Sequence, residues 1–191
     1  MPAGRPGRIG RRTSAPVVTG ATATLAAAAS LDDLIVALHR ASANPGAGPG
    51  CTLITNVGAS GSAFFQFASA GQTTIAGNSG SSQRIGAVCY RGVRKGNPLP
   101  NLSGAGTGTG TTVTFPTLTL REPGRSWVLG ICQLASSAQT MSSPSKGVVV
   151  QTGEYVHLLD SNGPAKGWSD VTATLSGSIG WTAYSLEIPS Q

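Results

Sequence analysis

A chain of 191 residues is long enough to bury one sizeable core without disulfide staples. Only 10% of its residues are charged, while 27 glycines and 12 prolines accompany abundant Ser and Thr; this excludes a helical bundle and favours short strands joined by many turns. The net charge of +6 is concentrated at one end: Arg5, Arg8, Arg11 and Arg12 precede any acidic residue, and the other nine basic residues face seven acidic ones, so no nucleic-acid groove is expected in the body of the chain.

Residues 1–16, MPAGRPGRIGRRTSAP, read as an extended basic N-terminal arm ahead of a β-sandwich domain over residues 17–191. A segment of that composition finds no order by itself, so another chain or another copy is expected to hold it. Its four arginines are then the assembly contacts. The stretch APVVTGATATLAAAA imitates the apolar part of a signal peptide, but Thr, Gly and Pro dilute it and Ala21, Ala23 and Leu25 alternate as in a strand. No run approaches the ~18 apolar residues of a membrane-spanning helix, so no membrane partner is expected.

Strands are expected at Val17–Leu25, Asp33–His39, Cys51–Val57, Ala63–Ala68, Arg84–Gly92, Thr111–Leu120, Ser126–Leu134, Tyr155–Leu159, Val171–Leu175 and Trp181–Ile188. The runs DLIVAL and SWVLGIC are almost continuously apolar, as strands covered on both faces should be. In the last run Trp181, Ala183, Ser185 and Glu187 share one face, and Thr182, Tyr184, Leu186 and Ile188 the other. Residues 41–50 and 97–110 read as Gly/Pro/Asn-rich loops, residues 161–164 as a turn, and the alanines at 26–29 are too few for a helix. About ten strands without intervening helices predict an all-β, antiparallel sandwich of jelly-roll-like kind.

No nucleophile elbow, zinc-protease or phosphate-loop motif is present; GTGTG at 106–110 lacks the lysine such a loop needs and leads into a β run. His39 and His157 each fall in a strand-like stretch without a local triad signature, so no enzyme activity and no cofactor are expected. Asp32 and Asp33 read as a turn. Asp160 and Asp170, flanking a loop with Asn162, read as solvated carboxylates in preference to calcium ligands. Cys51, Cys89 and Cys132 have neither the spacing of a zinc site nor an even count, and read as core thiols without a metal, with one bridge between an undetermined pair as the alternative. Trp127 and Trp181 lie in strands and are expected in the core. Trp168, in GPAKGWSD, is expected exposed, forming with Lys166 and Asp170 a candidate surface contact for a sugar or a neighbouring protein.

The segments LDDLIVALH (31–39), GPGCTLITN (48–56), GAVCYRGV (86–93), TTVTFPTLTL (111–120), RSWVLGICQLAS (125–136) and DVTATLSGSIGWTAYSLEIP (170–189) occur in an order that resembles a family of β-sandwich domains. These are found in bacteriophage structural proteins and in some bacterial surface proteins. Cys51 stands where the pattern usually has Trp, and the arginine-rich arm lies outside it. The resemblance implies a virion component assembled in the host cytoplasm, a capsid decoration, head-fibre or tail-associated subunit. Its partners would be other virion proteins and further copies of itself in a symmetric assembly. It carries over no catalytic residues. The competing expectation is a carbohydrate- or receptor-binding module for host attachment, with a host surface polysaccharide as ligand.

Overall fold

The computed structural model describes residues 10–78, 83–95, 101–136 and 139–191, and these form thirteen strands and no helix. Five build one sheet, in the order β1 (Gly10–Thr19), β7 (Arg84–Arg91), β3 (Leu34–Arg40), β5 (Gly61–Phe67) and β4 (Thr52–Val57). A second sheet runs β10 (Met141–Ser142), β13 (Val171–Ile188), β9 (Trp127–Leu134), β12 (Val156–Asp160) and β11 (Val148–Gly153), with β8 (Gly106–Phe115) on the other side of β13. A small third sheet pairs β2 (Thr22–Thr24) with β6 (Thr74–Ala76). All pairings are antiparallel, and the two large sheets stack as a sandwich.

Between the sheets Leu34, Val36 and Leu38 of β3 and Val88 and Tyr90 of β7 meet Leu129 and Ile131 of β9, Val156 and Leu158 of β12, and Leu186 and Ile188 of β13. The opposite side chains are also buried. Ile35 and Ala37 lie under Ala23 and Ile75 of the small sheet. Val128, Cys132 and Leu134 lie under Val113 and Phe115 of β8 and Val171, Ala173 and Leu175 of β13. This double coverage is why the two runs carry no polar alternation; each such side chain contributes about 1.5–3 kcal/mol of burial.

Several strand limits differ from the sequence reading. The expected strand 17–25 is two strands, separated at Gly20–Ala21. β1 begins at Gly10 and pairs along β7 from Gly10↔Arg91 to Thr19↔Arg84, so the expected arm boundary at residue 16 lies inside a strand. Backbone N–H and C=O groups supply that pairing, and they do not depend on the composition that made the segment read as disordered. Residues 106–110 of the expected loop open β8, where Gly106, Gly108 and Gly110 pair with Ala183, Trp181 and Ile179. The two closing strands are one, β13, whose register shifts between Thr174 and Ile179. Its first part lies between β8 and β10, its last part between β8 and β9. The face assignment of the last run holds: Ala183, Ser185 and Glu187 turn away from Leu186 and Ile188.

Candidate functional site

Three places in the sandwich bear on function. The first is where β1 joins the two sheets. Arg11 in β1 places Nη1 3.1 Å from Oδ2 of Asp160 at the end of β12, in the opposite sheet. Tyr90 on β7 donates its hydroxyl to the same oxygen at 3.2 Å, and the Asn162 N–H donates to Oδ1 at 2.9 Å. Asp160 is fully buried, whereas Arg11 retains 32% of its side-chain exposure. Burial pushes the Asp160 carboxyl above its ordinary range, with Arg11 and the hydrogen bonds from Asn162 and Tyr90 working against it. Burial and then the charge of Asp160 push the Tyr90 phenol well above its usual value. One of the four arginines expected as assembly contacts is thus tied to its own domain. Arg12 belongs to the same strand, and Arg5 and Arg8 lie outside the described residues.

The second place is the 164–170 segment, where the expected exposure of Trp168 is corrected. Trp168 is 2% exposed; its indole N–H donates to Ser185 Oγ at 2.9 Å and its carbonyl accepts from Leu118 N–H at 2.9 Å. Ser185 in turn donates to the Pro116 carbonyl at 2.7 Å. The segment folds back across the outer face of the second sheet, so the indole is core and not a stacking platform. Lys166 and Asp170 remain exposed, but the structure does not join them to Trp168 in a surface contact. Asp160 is likewise no solvated carboxylate, being bound as above.

Glu187 explains the folding of the neighbouring loop. Fully buried on β13, it accepts from the backbone N–H groups of Arg121 and Glu122 at 2.9–3.0 Å and from Asn101 Nδ2 at 3.1 Å. Burial raises its pKa, but those donors outweigh it and the carboxyl titrates below its ordinary range. His39 is buried beside Gly77. His157 is buried with Nδ1 3.0 Å from Thr152 Oγ1, and burial pushes its pKa down to about 4. Among the described residues no group of His, Cys, Asp and Glu has the arrangement of a metal site, and no disulfide joins the cysteines.

The third place is a cavity of about 280 Å³ at one end of the sandwich. The β4–β5 turn (Gly58, Ala59, Ser60) forms one wall. Gly108, the end of β9 (Gln133, Leu134, Ala135) and the middle of β13 (Gly180, Trp181, Thr182) form the others. Gln133 bridges the sheets, donating from Nε2 to Ser60 Oγ at 2.7 Å. A Cβ on Gly108 would lie 2.5 Å from the Trp181 ring, and one on Gly61 would lie 2.1 Å from Gln133 Oε1; both positions must be glycine for the walls to close as they do. Gln133 and Trp181 are 4% and 9% exposed, and neither Gln133 Oε1 nor Trp181 Nε1 has a hydrogen-bond partner. No reading of single motifs marked these residues, because they come from four separate segments.

Fold and sites together define an antiparallel β-sandwich whose edge strand β1 is tied to both sheets, with an uncharged cavity at one end. No family model, no curated protein and no solved structure matches the chain.

Proposed function

We propose that the chain is a non-enzymatic structural component of a phage or phage-like particle, a capsid decoration, head-fibre or tail-associated subunit. It assembles with other copies and other virion proteins through its sandwich and the basic segment ahead of β1. The observation that carries this reading is the β4 edge of the first sheet. β4 reads TLITNV, with neither a charged residue nor a proline, and Leu53 on it is 43% exposed. Sheets of solitary proteins commonly blunt such an edge with lysines or proline, whereas here a bulge between Leu53 and Thr55 is the one interruption. An edge left open in this way suits lateral pairing with a neighbour. The ordered set of six segments resembling phage sandwich domains supports the same reading. So does the anchoring of β1, which attaches Arg5 and Arg8 to a firmly held edge.

The test is made in the producing cells with the full chain, a Leu53→Lys variant and a variant starting at Gly10. Particles are purified on a density gradient and probed with an antibody to the chain. The full chain should co-sediment with particles, while both variants should stay in the soluble fraction with an unchanged melting temperature. A full chain absent from every particle fraction overturns the proposal.

A further inference from the structure

We infer that β1 is an exchangeable strand: in a pair of chains, each lays its β1 in the slot beside β7 of the other. The inference starts from how closely that slot is cut to β1. Gly10 to Thr19 pair along β7, Arg11 supplies the cation that buried Asp160 needs, and Ala15 packs in the layer of Ala87 and Cys89. Val17 fills a gap that two glycines leave open: a Cβ on Gly153 would lie 2.7 Å from its side chain, and one on Gly86 3.0 Å from it. The slot thus accepts a strand with arginine and valine at the spacing of Arg11 and Val17, and a second copy of this chain carries that strand.

Withdrawing the strand costs little, whereas leaving the slot empty costs much. Among the described side chains of β1 only Ala15 is fully buried, and Val17 and Val18 are half-buried, so little apolar burial opposes detachment. The vacated β7, RIGAVCYR, would be an apolar edge with unpaired backbone groups. Asp160 would be left buried without its cation. The slot therefore refills, from the same chain or from another.

The link after β1 decides between these sources. β1 ends at Thr19 and β2 begins at Thr22, and within that link the chain reverses. Ala26 N–H donates to the Ser14 carbonyl and Ala27 N–H to Thr13 Oγ1, so the returning chain runs back beside β1. Gly20 makes the reversal at a φ of +116°, backbone that side chains other than glycine rarely adopt. The Ala21 carbonyl is held by the Gly77 N–H, which leaves Gly20 as the pivot. A reversal packed into so short a link confines the chain, and straightening it releases that confinement; this is the arrangement in which identical elements exchange between copies. The exchange is mutual, because a chain that gives its strand has a slot to fill, and it closes at two copies about a two-fold axis. It needs no particle, and incorporation into a particle needs no exchange, so the two proposals fail separately.

The test uses the full chain carrying Cys51→Ser, so that this half-buried thiol forms no crosslink, and Thr13→Cys, which places a thiol opposite Cys89 in the β1–β7 register. After mild oxidation, exchange gives a disulfide-linked dimer on a non-reducing gel, whereas a closed chain gives a bond within itself. Adding Cys89→Ala should abolish the linked dimer, and adding Leu53→Lys should leave it in place, since the β4 edge takes no part. Light scattering of the unmodified full chain, which does not depend on any variant folding, should show a dimer whose share grows with concentration. Four Gly and Ser residues inserted between Gly20 and Ala21 let β1 return to its own slot without the sharp reversal, and should lower the linked fraction about tenfold. The inference is overturned if the unmodified chain is monomeric at every concentration, if the folded Thr13→Cys variant gives no linked dimer, or if the insertion leaves the linked fraction unchanged.

Discussion

Removing Arg11 should cost more than removing the carboxylate it pairs with. Arg11→Gln leaves Asp160, fully buried, as an uncompensated charge, and breaking a buried pair in this way typically costs about 3–5 kcal/mol. Two features reduce that figure. Asp160 keeps the donors Tyr90 and Asn162, and Arg11 is already one-third exposed, which screens the pair. A loss of about 2 kcal/mol at neutral pH remains, lowering the melting temperature by about 6 °C for a chain of this size. Asp160→Asn keeps an acceptor for the Asn162 N–H, lets the new amide N–H donate to the Tyr90 hydroxyl oxygen in place of accepting from it, and frees Arg11 to water, so it should cost about 1 kcal/mol. The pH dependence supplies a second check. Because the folded Asp160 carboxyl titrates above its unfolded value, its contribution is best at low pH and is lost as pH rises through the folded pKa. Without Arg11 that pKa climbs further, so the deficit relative to the native protein should be largest near neutrality and shrink toward about pH 4. Urea unfolding followed by tryptophan fluorescence at several pH values measures both; the histidines contribute equally to the two proteins and cancel. An Arg11→Gln deficit that is independent of pH, or smaller than that of Asp160→Asn, would refute the reasoning.

Three further outcomes follow from single contacts. His157 has its folded pKa pushed down to about 4 from an ordinary 6.5, so it stabilises the protein above the unfolded value and withdraws about 3 kcal/mol as pH falls across that window; His157→Leu should flatten the pH dependence of the urea midpoint between those limits, and an unchanged slope would contradict the assignment. Trp168→Phe removes the bond to Ser185 Oγ and should cost about 1 kcal/mol, read as a lower urea midpoint. Gly130→Ala would place a Cβ 2.8 Å from the Phe115 ring, and overpacking of that kind should cost about 1–3 kcal/mol, read as a lower denaturation midpoint.

The fold was largely legible because the sandwich writes itself locally. LIVALHR and WVLGICQL lack polar alternation for the reason the structure gives, a layer on each side, and TAYSLEI alternates because Glu187 and Ser185 turn toward donors while Leu186 and Ile188 turn inward. What escaped the sequence was pairing that side chains do not encode. Gly10–Pro16 and Gly106–Gly110 are strands because β7 and β13 offer them backbone partners at the sheet margins. Period-two hydrophobicity does not mark them, although the β-branched Thr107 and Thr109 alternate with glycine in GTGTG, where Gly108 serves close approach to the Trp181 ring in place of a flexible loop.

The candidate sites were less legible, for a different reason. Position in a loop suggested that Trp168 was exposed, yet a loop lying across a sheet's outer face is a layer of the core, and Ala165 and Leu118 beside it were the apolar clue. Gln133 offered a better signal than any tryptophan. An amide inside a run buried on both faces must bond across to another element, and here Nε2 does so to Ser60 in the opposite sheet's β4–β5 turn. Asp160 obeys the same logic at the other end of β12. A carboxylate closing the run VHLLD requires a cation once both sheets cover it, and the one it receives, Arg11, lies 149 residues earlier in the chain. That pairing makes the N-terminal strand a bridge between the sheets, so a pull on the segment ahead of Gly10 is resisted by the β7 ladder and by the opposite sheet together.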